Sequence, residues 1–347
     1  MGKRTSPVRD DLLDGLQAGL AFLRSAQLPT GEFPAYKAPP EELIHERALD
    51  STPFATTYVL HALSYVEQST VDELTAPALD FLEATMERHG VWRYWPAQHP
   101  RHGVIPPDLD DTCCASAVLL RFGRPALSNR ALILANRDRR GLFYTWFVPR
   151  PVRQLPREHW SVTLRQLPTS LPRVLFWMRT AASPSDVDCV VNANVLSYLG
   201  DFGEAQPVAD FLIAALEEDR AESCDKYHRN ACAFYYAVSR AYASGVKALE
   251  PLRAPLRARL ETTLADAESL ASAEVALAVS ATLNLGHHPP DLNGAIQRII
   301  ASQQGDGSWP PFALYWGGPP ERNHCWGSRA LTTGLCVEAI ARSTPGE

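Results

Sequence analysis

The feature that most restricts this chain is a plan that keeps returning. An amphipathic stretch runs to a glycine with an aromatic residue beside it, then a loop, then a second stretch poorer in charge. Residues 10–27, DDLLDGLQAGLAFLRSAQ, carry an apolar stripe and stop at Pro29 and Gly31; GEFPAY follows, then STPFATTYVLHALSYV from Ser51. ELTAPALDFLEATMERH leads to GVWRYW at Gly90 and on to a segment entered through Asp108. RPALSNRALILANRDRR leads to GLFYTWF at Gly141 and later to DVDCVVNANVLSYLG, and LNGAIQRIIASQQGDGSWPPF leads to HCWGSRALTTGLCVEAI. Two further pairs, AQPVADFLIAALEED with KYHRNACAFYYAVSRAYA and APLRARLETTLADAESL with AEVALAVSATLNLG, lack the glycine–aromatic step. The periodicity is helical nearly throughout, and no alternating run marks a strand.

Units of this length cannot bury their apolar faces alone and must stack. There are six pairs, with second helices starting near residues 51, 108, 186, 225, 272 and 324. They predict an all-α chain, an (α/α)6 barrel over residues 1–347 as one domain, with the charge-poor second helices inside and the first helices outside. An open solenoid is the rival arrangement. A content of 46% hydrophobic residues supplies a sizeable core, and a net charge of -6 argues against nucleic acid as a partner. No apolar run reaches the roughly 18 residues of a membrane span, which leaves only peripheral contact with a membrane. The start MGKRTSPVRDD has no apolar stretch after its basic residues, so no secretory signal is expected, and it fits a myristoylation pattern only superficially. Seven cysteines, at 113, 114, 189, 224, 232, 325 and 336, form no CxxC pair and fall mostly in apolar patterns. They predict buried free thiols in a reducing cytoplasm rather than disulfides or a zinc ribbon.

One stretch departs from plain packing logic: Pro106-Pro107-Asp108-Leu109-Asp110-Asp111-Thr112, running into CCASAVLL. A single Asp suffices to cap a helix start. Three crowded carboxylates repel one another, so at least one should hold its proton near neutral pH and serve as an acid. If all inner helices run the same way, their N-terminal ends gather Asp108, Asp110, Asp111, Asp186, Asp188, Asp225, His228, Glu274 and His324 at one mouth. For most of these, taken singly, an ordinary cap is the plainer reading. Residues at about 150–180 break the repeat with six Arg, one Glu and several Pro. This insertion reads as a lid, a phosphate-binding arm, a docking surface, or a basic loop laid over an outer helix.

The glycine–aromatic units with an upstream Gln, such as Gln27…Gly31-Glu32-Phe33 and Gln303-Gln304-Gly305-Asp306-Gly307-Ser308-Trp309, resemble the QW repeats of terpene cyclases and prenyltransferase β-subunits. The DLDD stretch resembles the DxDD motif of class II terpene cyclases. That resemblance implies that Asp110 protonates a terminal alkene while Asp108 and Asp111 tune and orient it, starting a cascade of ring closures. Aromatic faces would shield the cations, with Trp92, Tyr94, Trp95, Trp316 and Trp326 as candidates. The chain has no room for the second barrel of the larger members, which points away from squalene and towards farnesyl or geranylgeranyl diphosphate. A diphosphate would call for cationic partners and for Mg2+; Lys226, Arg229, Arg322 and Arg329 are the candidates, and Asn192 and Asn194 would bond within the ring or near the acid. No DDxxD-type motif for ionising a diphosphate is present.

The related protein prenyltransferase β-subunits bind zinc through Asp, Cys and His. Asp188, Cys189, His228 and His324 are the corresponding candidates here, although adjacent Asp188 and Cys189 would diverge by about 100° on a helix. His45, His99 and His102 fall in loops, as supporting or surface residues. Two alternatives to a cyclase therefore stand: a non-catalytic barrel that binds an isoprenoid or a partner, and a metal-dependent enzyme, zinc prenyltransferase-like or oxidative, using the Asp/His/Cys ring.

Overall fold

The computed structural model describes residues 7–125, 128–150, 155–165, 170–319 and 323–344; the MGKRTS start and Arg322 lie outside them. In chain order the helices are α1 (Pro7–Ala26), α2 (Pro53–Leu63), α3 (Gln68–Thr85), α4 (Leu109–Arg121), α5 (Arg130–Ala135), α6 (Arg157–Leu164), α7 (Ser170–Arg179), α8 (Cys189–Leu199), α9 (Gln206–Glu217), α10 (Ala231–Ala243), α11 (Arg253–Ala265), α12 (Ser272–Asn284), α13 (Leu292–Ala301) and α14 (Arg329–Ser343). Helices α2, α4, α8, α10, α12 and α14 each pack on the next, and α14 packs back on α2. The ring is closed, so the helical barrel holds and the open solenoid does not. The first helices of the pairs lie outside this ring, where α1 meets both α3 and α13, and α11 meets both α9 and α13.

Burial explains the layering. Every residue of α2 from Pro53 to Leu63 is buried, whereas α11 buries only Leu256, Leu260 and Leu264. A helix apolar all round must sit in the middle, and one with a single apolar stripe must sit at the edge.

The glycine–aromatic units are stitches between these layers. The Gln27 side chain donates to the carbonyls of Gly31 and Leu74, tying the end of α1 to α3, and Gln303 donates to Gly307 and Gly15, tying α13 to α1. At Gly307 φ is +85° and a Cβ would lie 2.3 Å from the Ala18 carbonyl oxygen, so only glycine fits. The aromatic residue then hands its backbone N–H to a side chain of the following inner helix. Phe33 donates to Thr56, Trp92 to Thr112, Phe143 to Asn192 and Trp309 to Thr333.

Three expectations are corrected. First, strands exist: β1 (Tyr36–Ala38), β2 (Tyr315–Gly317) and β3 (His324–Gly327) form an antiparallel sheet in the order β1-β3-β2, pairing Tyr36 with Gly327 and Tyr315 with Trp326. Such short pieces show too few turns of a period-2 pattern to be seen in sequence. Second, α14 accordingly starts at Arg329 rather than near 324, and α10 starts at Ala231 rather than near 225, because Asp225 and His228 occupy the loop before it. Third, Cys189 is bonded to Cys224, with 5.6 Å between their Cα atoms. The buried thiols of Cys113, Cys114, Cys232, Cys325 and Cys336 are free.

Candidate active site

A cavity of about 490 Å³ opens at the end of the barrel where the inner helices begin. Its floor is the first turn of α4. Asp108 caps that helix, its Oδ1 accepting the Asp111 N–H at 2.8 Å, while its own N–H donates to the Trp92 carbonyl. Asp110 and Asp111 follow in the first turn, and all three carboxyls line the cavity.

Their surroundings separate the three. Burial pushes Asp108 up to about 7. Burial and then the Asp108 charge drive Asp111 far above the carboxylate range, so Asp111 keeps the proton that this pair shares. Its Oδ1 is buried and unbonded among the described residues. Asp110, 13% exposed on its side chain, stands apart from that pair. Its Oδ1 accepts Asn194 Nδ2–H at 2.6 Å, and its Oδ2 lies 4.0 Å from His228 Nε2. Burial raises the Asp110 pKa, while His228 and the Asn194 bond pull against that rise.

His228 is held by its own loop. Asp225 Oδ1 accepts the backbone N–H groups of Tyr227 and His228 and lies 3.4 Å from His228 Nδ1. Burial works to lower the imidazole pKa, but the Asp225 carboxylate, with Asp110 and Asp188 beyond it, raises it overall. Burial works the other way on Asp225, and there the imidazole and the two N–H donors win and hold it low. The result is an imidazole bracketed by Asp225 and Asp110, whose charged form both carboxylates favour. His228 reaches the cavity, from a loop rather than a helix start, and Asp225 is buried behind it.

The walls are aromatic. Phe54, Tyr94, Trp95, Trp146, Tyr227, Tyr315, Trp316 and Trp326 line the cavity, with Val104, Ile105 and Val191 between them. Of the ring candidates, Tyr94, Trp95, Trp316 and Trp326 are in place. Trp92 is not: it is fully buried in the core, with its indole N–H on the Leu82 carbonyl. Phe54 carries no chemical mark in the sequence, although aligning Thr52-Pro53-Phe54 with Asp108-Leu109-Asp110 puts Phe54 and Asp110 at the same first-turn position on successive inner helices. The insertion supplies the cover. Pro172, Leu175, Phe176 and Arg179 of α7 line the cavity, and Phe176 and Trp177 pack edge-on against Trp146.

The other candidates sort as follows. Asn192 is buried with its amide bonded to Phe143 N–H, Phe143 O and Asp188 O, so it is a stitch and does not face the substrate space. Lys226 is bonded to Asp186 and the Ala181 carbonyl, and Arg329 to Glu46 and Asp306, so both are spent outside the cavity. Arg229 is exposed beside the mouth, 5.5 Å from the Trp316 ring. Lys37, Arg101 and Arg179 do line the cavity; Arg179 belongs to the Arg-rich insertion, whereas no sequence feature marks Lys37 or Arg101. Glu274 caps α12 by accepting Ala271 N–H. Asp188 accepts Thr145 Oγ1–H and Lys226 N–H and is pushed up to about 8, first by burial and then by Asp225. His324 sits on β3, off the cavity lining. With Cys189 bonded to Cys224, the Asp/His/Cys set is dismantled, and no group of three or more His, Cys, Asp or Glu among the described residues could hold a metal ion.

By sequence alone the chain matches no family model and no curated protein. Its structure does find relatives. A protein from Actinoplanes superposes with a TM-score of 0.70 at 17% identity, covering 96% of this chain and all (100%) of that one. The type II terpene cyclase MstE from Scytonema, as an Arg→Ala variant in complex with geranylgeranyl dihydroxybenzoate, its substrate, superposes with a TM-score of 0.68 at 16% identity over 98% and 99% of the two chains. The ent-copalyl diphosphate synthase from Streptomyces platensis gives a TM-score of 0.56 at 17% identity, covering 84% of this chain and 50% of that one. The fold is that of the class II terpene cyclases.

Proposed function

We propose that this chain closes rings in a linear isoprenoid by protonating one of its double bonds, with Asp110 as the acid. The observation that carries the reading is the setting of that carboxyl: nearly dry, at the floor of an aromatic-walled cavity, touched by Asn194 and faced by His228. Proton transfer to carbon needs a donor that water does not level, and a closed apolar site provides one. In the step itself the alkene π electrons take the Asp110 proton. A C–H bond forms, the O–H bond breaks, and a carbocation remains in the substrate with a carboxylate on Asp110. That carboxylate is what the Asn194 N–H and the His228 charge favour, so their help grows as the transition state forms. The aromatic faces attract the cation without trapping it as a nucleophile would.

Lys37, Arg101 and Arg179 at the rim suit an anionic end of the substrate, a diphosphate or a carboxylate. Among the described residues the carboxylates that line the cavity are Asp108, Asp110 and Asp111, all on its floor. The three cations are the groups that would neutralise the head. Among the described residues no helix is long and apolar enough to cross a membrane.

The test is incubation of wild type and Asp110→Asn with farnesyl diphosphate, geranylgeranyl diphosphate and geranylgeranyl dihydroxybenzoate. Wild type is expected to yield a cyclic product from one of them, and the variant to bind that substrate yet react about a thousandfold more slowly. Failure to obtain a cyclic product from any of the three would leave a binding barrel as the better reading.

A further inference from the structure

Five of the eight indole N–H groups fall into two sets. In the core, Trp92 donates to the Leu82 carbonyl and Trp309 to the Ile299 carbonyl, at 2.9 and 2.7 Å. On the cavity wall, Trp95 and Trp326 both donate to Asp50 Oδ2, at 3.1 and 2.7 Å, and Trp146 approaches Asp186 Oδ2 at 3.4 Å. A backbone carbonyl satisfies a buried indole at little cost, so a carboxylate in its place calls for another reason. Asp50 is only 6% exposed. Its other oxygen lies 3.1 Å from His99 Nε2. Since His99 Nδ1 accepts the Arg101 N–H, the Nε2 bears the hydrogen, and the ring meets Asp50 as a neutral donor. A carboxylate is thus buried behind two cavity-lining rings with no cation among the described residues as its hydrogen-bond partner, an expensive arrangement for mere support.

We infer that Asp50 is a positioning residue for a carbocation: through two indole N–H groups it fixes Trp95 and Trp326 in the wall and makes their faces more attractive to positive charge. A charged acceptor draws the N–H hydrogen and pushes electron density into the ring, which deepens the negative face that a cation seeks. Each ring already meets a cavity-lining cation, with Lys37 Nζ 5.3 Å from the Trp326 centroid and the Arg101 guanidinium 5.5 Å from that of Trp95. Asp50 lies two residues before the α2 cap Thr52, and no motif in the sequence marks it.

The inference rests on the cyclase reading, but its test does not require turnover. Binding of farnesyltrimethylammonium is compared with that of its neutral isostere, in which carbon replaces the nitrogen, by calorimetry on the full chain. Wild type is expected to prefer the cation, and Asp50→Asn to reduce that preference about fivefold with the neutral ligand held as before. In a Trp95→Phe, Trp326→Phe background the Asp50→Asn change should shift the preference by less than about twofold, because the path through the indoles is gone. An unchanged preference in Asp50→Asn overturns the inference. So does an equal fall in the Phe background, which assigns the effect to charge acting through space. Loss of both ligands together, or an Asn variant that does not fold, assigns Asp50 to scaffold support and overturns it as well. A cyclase reading that fails would show instead as missing product from every polyprenyl substrate.

Discussion

Asp110 and its neighbours Asp108 and Asp111 are the same residue type within one turn, yet only Asp110 is touched by a side-chain amide from another inner helix. That bond favours the ionised form, so in the proposed role it keeps Asp110 a stronger acid. Replacing Asn194 by Ala removes it, and the Asp110 pKa should rise further. The expected result is a kcat lower by about ten- to a hundredfold and an alkaline limb of the pH–rate profile moved to higher pH. A variant that lost rate with no movement of that limb would place Asn194 in the scaffold. The sequence made the carboxylate cluster legible, because three carboxylates at one helix start exceed what capping needs. It did not make the right asparagine legible. Asn192 and Asn194 are two apart and so point about 200° from each other, and only the phase of α8 decides which one meets the cavity. The phase was available in principle, since Asn192 stands where Thr56, Thr112 and Thr333 stand in their repeats.

At the scale of elements, the repeat was readable because its punctuation is physical. Gly307→Ala forces a side chain into a left-handed backbone and onto the Ala18 carbonyl. It should cost about 2–4 kcal/mol, read as a lower denaturant midpoint. Gly294, exposed within α13 and with nothing near its missing Cβ, is the control, and Gly294→Ala should stabilise by about 0.5–1 kcal/mol. Equal effects at the two sites would remove the argument for the stitch. What stayed hidden were pieces too short or too irregular to carry a period. The three strands span three or four residues each, α5 is a helix of six, and α7 interrupts the repeat before it becomes the cavity's cover. Lys37 and Arg101 lie on such pieces, so no periodicity in the sequence places them at the cavity.

For the whole molecule, several buried carboxyls bind protons more tightly folded than unfolded. Asp108 at about 7 and Asp188 at about 8 favour the native state fully below the ordinary carboxylate range, and that advantage drains away as pH climbs through those values. His228 acts in the same sense, its stabilisation being lost as pH rises through its raised pKa. Asp225, held low, opposes them only on the acid side, where its contribution is lost as pH falls. Tm should therefore drop between pH 5 and pH 8.5, by roughly 5 °C. Asp108→Asn should flatten the drop, and a Tm that rises over this interval would contradict the assignment of these protons.

Ring closure has a consequence in time. Trp95 is gathered to Trp326 by one carboxylate, β1 near residue 36 waits for β3 near residue 326, and α2 waits for α14. A ribosome that has finished five of the six hairpins has therefore assembled no chamber, only an open arc with its greasy inner face exposed. The closed hollow needs α14 seated against α2, so it cannot precede synthesis of that last pair.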